Sequence, residues 1–233
     1  MSAAETSVDR YALPELVTVV PHLPEARSLA EKAYYLLRDQ IISLQLEPGE
    51  ALDEKALMAE LDLGRTPIRE ALRRLADERL VEVAPRRGMF VTHIDIRDLA
   101  AIGEVRAELE AHAGRLAAER ATDDERAHAE ELLALVEATA GGGSEELMRT
   151  DQRVHRLVHA ATHNTYLAAT LEEYYVLALR LWFLVLQQLT GLDHAVSEHQ
   201  ALLTAVRDGD GDRAAAVLRA HVHGFEEAIR AVL

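Results

Sequence analysis

The chain has 233 residues, 25 Lys+Arg against 40 Asp+Glu, and no cysteine, which excludes a disulfide framework, a zinc ribbon and a thiol nucleophile. No apolar run approaches the roughly 20 residues needed to cross a bilayer, and the N-terminus lacks the layout of a signal peptide, so a soluble cytoplasmic protein of one or two domains with a buried core is expected. The net charge of −15 argues against a nucleic-acid-coating protein, yet residues 64–92 carry seven Arg against four acids while residues 93–233 carry 13 basic and 24 acidic residues, which predicts one nucleic-acid-facing element on an acidic body.

Residues 1–27 contain Pro14, Pro21 and Pro24 and no sustained period, which predicts an extended or mobile arm. Ser28 and Glu31 form a capping box, satisfying free N–H groups at a helix start. Leu29, Ala33, Leu36, Leu37, Ile41 and Leu44 follow at helical spacing, and Pro48-Gly49 ends that helix. Asp53 caps a short second helix carrying Ala56, Leu57 and Leu61, which Leu63-Gly64 breaks. A third helix is expected from about Thr66 to Arg79, with Pro67 in its first turn and Ile68, Leu72 and Leu75 facing inward. Leu80–Ala84 and Met89–Thr92 flank Pro85-Arg86-Arg87-Gly88 and read as a hairpin.

From about residue 95 the texture changes to Ala- and Leu-rich helices. Breaks near Thr122, residues 141–144, Asn164, Gly191 and residues 208–210 leave six helical segments. Thr122 and Glu125 form a second capping box, with Ser144 and Asp210 as further N-caps. The expected fold is mainly α: a winged helix-turn-helix over residues 28–93, then an antiparallel all-α helical bundle over residues 94–233.

On the third helix Arg65, Arg69 and Arg73 recur every four residues, opposite the inner face. Guanidinium forks there can take phosphate or the O6/N7 edge of guanine, and Thr66 a phosphate or a thymine methyl. Arg86, Arg87 and Gly88 at the hairpin tip suit a wing. The same spacing also describes a solvated arginine face. The segment Leu63-Gly-Arg-Thr-Pro-Ile-Arg-Glu-Ala-Leu-Arg-Arg-Leu75, with Pro85-Arg-Arg-Gly88, resembles the recognition helix and wing of the GntR family of bacterial transcription regulators. The resemblance implies a homodimer on a palindromic operator, with DNA contacts from Lys55, Arg65, Thr66, Arg69, Arg87 and Gly88. Two departures concern local geometry: Gly64 replaces a capping Ser or Thr, and Arg79 stands where the family has a Gly in left-handed conformation.

Seven of the eleven histidines fall between residues 155 and 223. Asp151 and His155 share a helix face, His199 aligns with Leu202, Leu203 and Val206, and His221 aligns with Ala214, Val217 and Leu218. Helical drift turns His159 and His163 toward the rim, and His223 faces outward. One carboxylate and three imidazoles thus point inward from three helices, a costly burial unless something binds them. A divalent cation meets that demand, Zn first and Ni, Mn or Fe after it; hydrogen-bonded core histidines are the other reading. Asp151-x-x-x-His155, Asn164, Glu198-His199 and the segment to His221, with Arg106-x-x-Leu109-Glu110, resemble the FCD ligand-binding domain of FadR-type regulators. There the matching Asp151, His155, His199 and His221 hold the ion beside a small organic acid. Val154, where an aromatic is common, is a departure that widens the pocket. Arg106 either faces an effector carboxylate or pairs with Glu110 at i+4. Tyr174 and Tyr175 are further effector candidates, and Trp182 and Phe183 core or pocket wall.

The sequence therefore predicts a DNA-binding transcription regulator, a repressor controlled by a small carboxylate bound beside a metal, and not an enzyme. The alternative is a metal-dependent hydrolase or lyase acting on a small carboxylate, for which no positioned general base is evident.

Overall fold

The computed structural model describes residues 11–19, 25–95, 97–139, 142–185 and 193–232. The chain divides into two compact units, Met1–Ile94 and Asp95–Leu233.

The first unit contains α1 (Leu29–Ile42), β1 (Ala51–Leu52), α2 (Glu54–Glu60), α3 (Arg65–Asp77), β2 (Val81–Ala84) and β3 (Gly88–Val91). The Ser28 hydroxyl accepts the Glu31 N–H at the start of α1, but the Glu31 carboxylate accepts the N–H of Arg27, one residue earlier than a reciprocal box requires. α1 buries Ala33, Leu37 and Ile41 completely. It stops before Leu44, which adopts a φ of 62°, so that leucine lies beyond the helix expected to carry it. Asp53 caps α2 by accepting the Lys55 N–H at 2.8 Å. Of the expected loose arm, residues 11–19 are anchored. Ala12 bridges to Glu25, and Thr18, 1% exposed, donates its N–H and hydroxyl to Asp39 Oδ1 at 2.6 and 2.8 Å. Pro21 and Pro24 lie outside the described residues.

α3 begins on Gly64, which offers no side-chain cap. Its inner face, Ile68, Ala71, Leu72 and Leu75, is buried, each large side chain contributing about 1.5–3 kcal/mol. The helix closes on a Schellman pattern: Arg79 N–H donates to Ala76 and Leu80 N–H to Leu75. That pattern places its penultimate residue in the left-handed region. Arg79 occupies it with a φ of 61°, while Leu75 and Leu80 are both fully buried. β2 and β3 form the expected hairpin, Ala84 opposite Gly88. The Arg87 N–H closes the turn onto Ala84, with Arg86 at φ 63° and Gly88 at φ 104°. The sheet has a third strand, β1, in the order β1-β3-β2; two residues are too few to leave a periodic signal.

The second unit is built from α4 (Asp98–Arg120), α5 (Asp123–Ala138), α6 (Ser144–Ala161), α7 (Thr165–Val185), α8 (Asp193–Asp208) and α9 (Gly211–Val232). Thr122 and Glu125 satisfy each other's N–H in a full capping box. Asn164 and Asp210 accept the N–H groups of Leu167 and Arg213, closing the starts of α7 and α9. Ser144 is the first residue of α6 rather than its cap, which is Gly143. The expected break at Gly191 lies outside the described residues. α4 packs chiefly on α9, and α5 on α8. At Gly114 an added Cβ would stand 2.8 Å from Leu218 Cδ1 and 3.0 Å from the Ala214 carbonyl oxygen, so glycine lets these two helices approach. Ala117, Ala129, Val136, Val154, Val158, Leu171, Leu203 and Leu218 form the centre of a continuous apolar core. Among the described residues no helix is long and apolar enough to cross a membrane.

Candidate metal centre and nucleic-acid interface

α6 sets Asp151 and His155 one turn apart on its buried face, α8 supplies His199 and α9 supplies His221. Each of the four residues offers one ligand atom, and these atoms lie within 4.8 Å of one another. Asp151 Oδ1 is the hub. It stands 2.9 Å from His199 Nε2, 3.3 Å from His221 Nε2 and 3.6 Å from His155 Nε2. Ligand atoms about 2.1 Å from a tetrahedral ion sit roughly 3.4 Å apart, so this spacing fits. The Tyr175 hydroxyl donates to the other oxygen, Oδ2, at 2.5 Å. His155 is fully buried; its Nδ1 faces Glu110 Oε1 at 3.1 Å, while its Nε2, 3.6 Å from Asp151 Oδ1, is left without a hydrogen-bond partner. An interior imidazole left in that condition is the strongest sign that these residues suit a cation rather than a closed hydrogen-bond network.

The electrostatics agree with the geometry. Burial by itself would raise the Asp151 pKa, but the neighbouring His155 and the hydrogen bonds from His199 and His221 hold it well below the usual carboxylate range. Burial pushes the His155 pKa down against the pull of Glu110 and Asp151. At His221 the burial penalty is outweighed by bonds to Asp151 and Glu198, and its pKa is pushed up to about 9. Tyr175 is raised well above its ordinary value by burial and by Asp151, so it remains a donor.

A second buried group adjoins the first. His159, expected at the rim, is 4% exposed, and its Nε2 is 3.0 Å from Glu110 Oε2. The drift of α6 is as expected, but α4 covers the side to which His159 turns. Glu110 Oε1 lies 3.1 Å from His155 Nδ1 and 3.3 Å from Arg106 Nη2. Arg106 is buried and its guanidinium lies 5.3 Å from the centre of the Tyr175 ring; its partner here is Glu110. Tyr174 is half-buried, and its neighbour Tyr175 is the tyrosine that reaches the cluster. His223 faces outward, and exposed His163 pairs with Glu125 at 3.0 Å. Glu110 and Glu198 are the polar neighbours not assigned to the site from sequence. For Glu110 a signal exists: Gly103, Arg106, Ala107, Glu110 and Gly114 form a buried stripe on α4, small residues around two opposite charges. A recess beside His199, lined by Val136, Thr139, Leu147, Thr150, Trp182 and Val196, measures about 10 Å³, room for one water. Val154 is not among its lining residues and belongs to the apolar core.

In the first unit, Lys55, Arg65, Thr66, Arg69, Arg73, Arg86, Arg87 and Gly88 are all exposed. Arg69 Nε donates to both carboxylate oxygens of Glu54, at 2.9 and 2.8 Å, a contact between α2 and α3 that the sequence did not reveal. Gly88 has open space where a Cβ would stand.

Comparison with known proteins gives two domain matches: "Bacterial regulatory proteins, gntR family" over residues 29–91 and "FCD domain" over residues 101–224. The chain is 30% identical to the Nta operon transcriptional regulator of Aminobacter aminovorans, covering 78% of this chain and 85% of that one. It is 31% identical to the HTH-type transcriptional repressor GlaR of Escherichia coli, covering 81% and 90%. Among solved structures, Escherichia coli McbR/YncC superposes with a TM-score of 0.72 at 25% identity, covering 87% of this chain and 99% of that one.

Proposed function

Because the chain belongs to the GntR family of bacterial transcription regulators and carries an FCD domain, we propose that it is a repressor of the FadR type, controlled by a small organic acid that binds in a metal-containing bundle. It is a DNA-binding regulator and not an enzyme: both domains and the relatives above are those of transcription regulators. Residues 28–93 bind operator DNA and residues 94–233 bind effector and form the homodimer, whose two-fold symmetry matches a palindromic operator. Repression is supported by the likeness to GlaR.

Asp151, His155, His199 and His221 hold the ion, for which Zn²⁺ is the first choice and Ni, Mn or Fe fit the same donors. When bound, it would supply a fixed positive charge and, on expanding beyond four ligands, a place for a ligand oxygen. Tyr175 keeps Asp151 Oδ2 occupied, leaving Oδ1 to face the imidazoles. Arg106 is held by Glu110 through Nη2, and its unpartnered Nε is the atom left to meet a ligand carboxylate. An organic acid exceeds the present recess, so its entry requires side chains around His199 to move. Control of DNA binding then follows from unequal affinity of the acid for the DNA-binding and non-binding states.

The observation that carries this reading is the convergence of three imidazoles on Asp151 Oδ1, with His155 Nε2 unsatisfied. Metal analysis of the purified protein tests it. One ion per chain is expected in the parent and a loss of bound metal in His199→Ala; equal metal in both removes His199 from the site.

A further inference from the structure

Glu110 belongs to no expected ligand set, yet it is fully buried and touches three side chains on two helices. Oε1 is 3.3 Å from Arg106 Nη2 and 3.1 Å from His155 Nδ1, and Oε2 is 3.0 Å from His159 Nε2. Two roles compete. Glu110, His155 and His159 have ligand atoms close enough to hold a second cation. Against that, the Arg106 guanidinium already supplies a positive charge on Glu110, in a pocket with 5% or less of either side chain exposed. A divalent ion added there would face Arg106 across a low-dielectric interior.

The remaining role follows from the two ends of His155. Its Nε2 faces Asp151 Oδ1 at 3.6 Å and its Nδ1 faces Glu110 at 3.1 Å, with neither contact aligned as a hydrogen bond. A neutral imidazole has one N–H and one lone pair, and a carboxylate beside one nitrogen selects the tautomer that carries its proton there. We propose that Glu110 is the positioning residue of the metal centre: it holds the His155 proton on Nδ1 and so presents the Nε2 lone pair to the ion. The same arrangement recurs at His221, whose Nδ1 lies 2.8 Å from Glu198 Oε2 while Nε2 faces Asp151. Two of the three imidazoles are thus backed by carboxylates from outside the ligand set. Arg106 and His159 in turn hold the Glu110 carboxylate in place.

This inference rests on the metal reading above and is separable from it. Long-range ¹H–¹⁵N spectra of the metal-free full chain, assigned with His155→Gln, are expected to show the His155 proton on Nδ1; a proton on Nε2 overturns the proposal whatever metal does. Zn²⁺ titration against a competing chelator is expected to give one ion per parent chain. Affinity should be roughly 10–100-fold weaker in Glu110→Gln, as for other carboxylates behind metal-bound histidines. Parent affinity in a folded Glu110→Gln, or two ions per chain, refutes the positioning role while leaving the metal centre standing. A parent that binds no Zn²⁺ refutes both. Should Glu110→Gln fail to fold, the parent spectra and stoichiometry still decide.

Discussion

Arg69 on α3, the helix proposed to face DNA, is tethered to Glu54 of the preceding helix through its Nε, which donates to both carboxylate oxygens. The tether engages Nε rather than the terminal nitrogens and orients the guanidinium. It also neutralises part of the charge that α3 would offer to DNA. Arg69→Ala is expected to weaken binding to a duplex selected from a random library by about 1–3 kcal/mol if Arg69 reads a base. Fluorescence anisotropy at one fixed salt concentration measures this, and unchanged binding removes Arg69 from the interface. Glu54→Gln separates positioning from charge: tighter but less selective binding is expected.

Arg79 sits in left-handed conformation at the end of α3, closing its Schellman pattern. A side chain there carries backbone strain that glycine lacks. Arg79→Gly is expected to stabilise the chain by about 1 kcal/mol, less the extra entropy that glycine has when unfolded. The urea midpoint of the transition reporting the first unit checks this; a lower midpoint shows that Arg79 makes compensating contacts.

Removal of metal should lower thermal stability, since an ion that binds only the folded bundle stabilises it by mass action. At a free concentration a hundredfold above its dissociation constant the effect is about 2.7 kcal/mol. Melting with and without chelator tests this in parent and His199→Ala. The chelator effect is expected in the parent and lost in the variant.

Arg106 and Glu110 are a buried pair, and truncating one leaves the other without its partner. Arg106→Ala is expected to cost about 3–5 kcal/mol, far more than an exposed effector contact would. Chemical denaturation of the metal-free forms measures it, and a loss below about 1 kcal/mol would mean that Glu110 is satisfied by His155 and His159 alone.

A pH dependence traceable to His221 is expected of the metal-free protein. Its pKa is raised from 6.5 to about 9 in the folded state, so the charged form is favoured by folding. The stability that it contributes is fully present below about pH 6.5 and is lost as pH rises through about 9. The stability gap between chelated parent and chelated His221→Gln should therefore narrow over that range. A gap that is constant from pH 6.5 to 9 contradicts the raised pKa.

The helical segments of the second unit could be read from residues because Thr122, Asn164 and Asp210 act locally, within a turn of the helices that they start. The inner face of α3 and the exposure of its arginines followed from period 3.6 in the same way. Burial of Asp151, His155, His199 and His221 was also legible, since each lies in line with apolar neighbours on its own helix. What failed was one-helix reasoning about shared space. His159 looked marginal because its helix alone decides only direction, and α4 covers that direction.

The sequence by itself determined the class of fold, the basic helix with its wing and the identity of four inward metal-type donors, because capping, periodicity and charge are properties of neighbours along the chain. Only the tertiary structure decided that Glu110 backs His155, that Tyr175 rather than Tyr174 meets Asp151, and that Glu54 holds Arg69. These pairings join different helices, and which side chains come within 3 Å across such a gap depends on how helices pack, through small residues such as Gly114 as much as through the polar groups themselves.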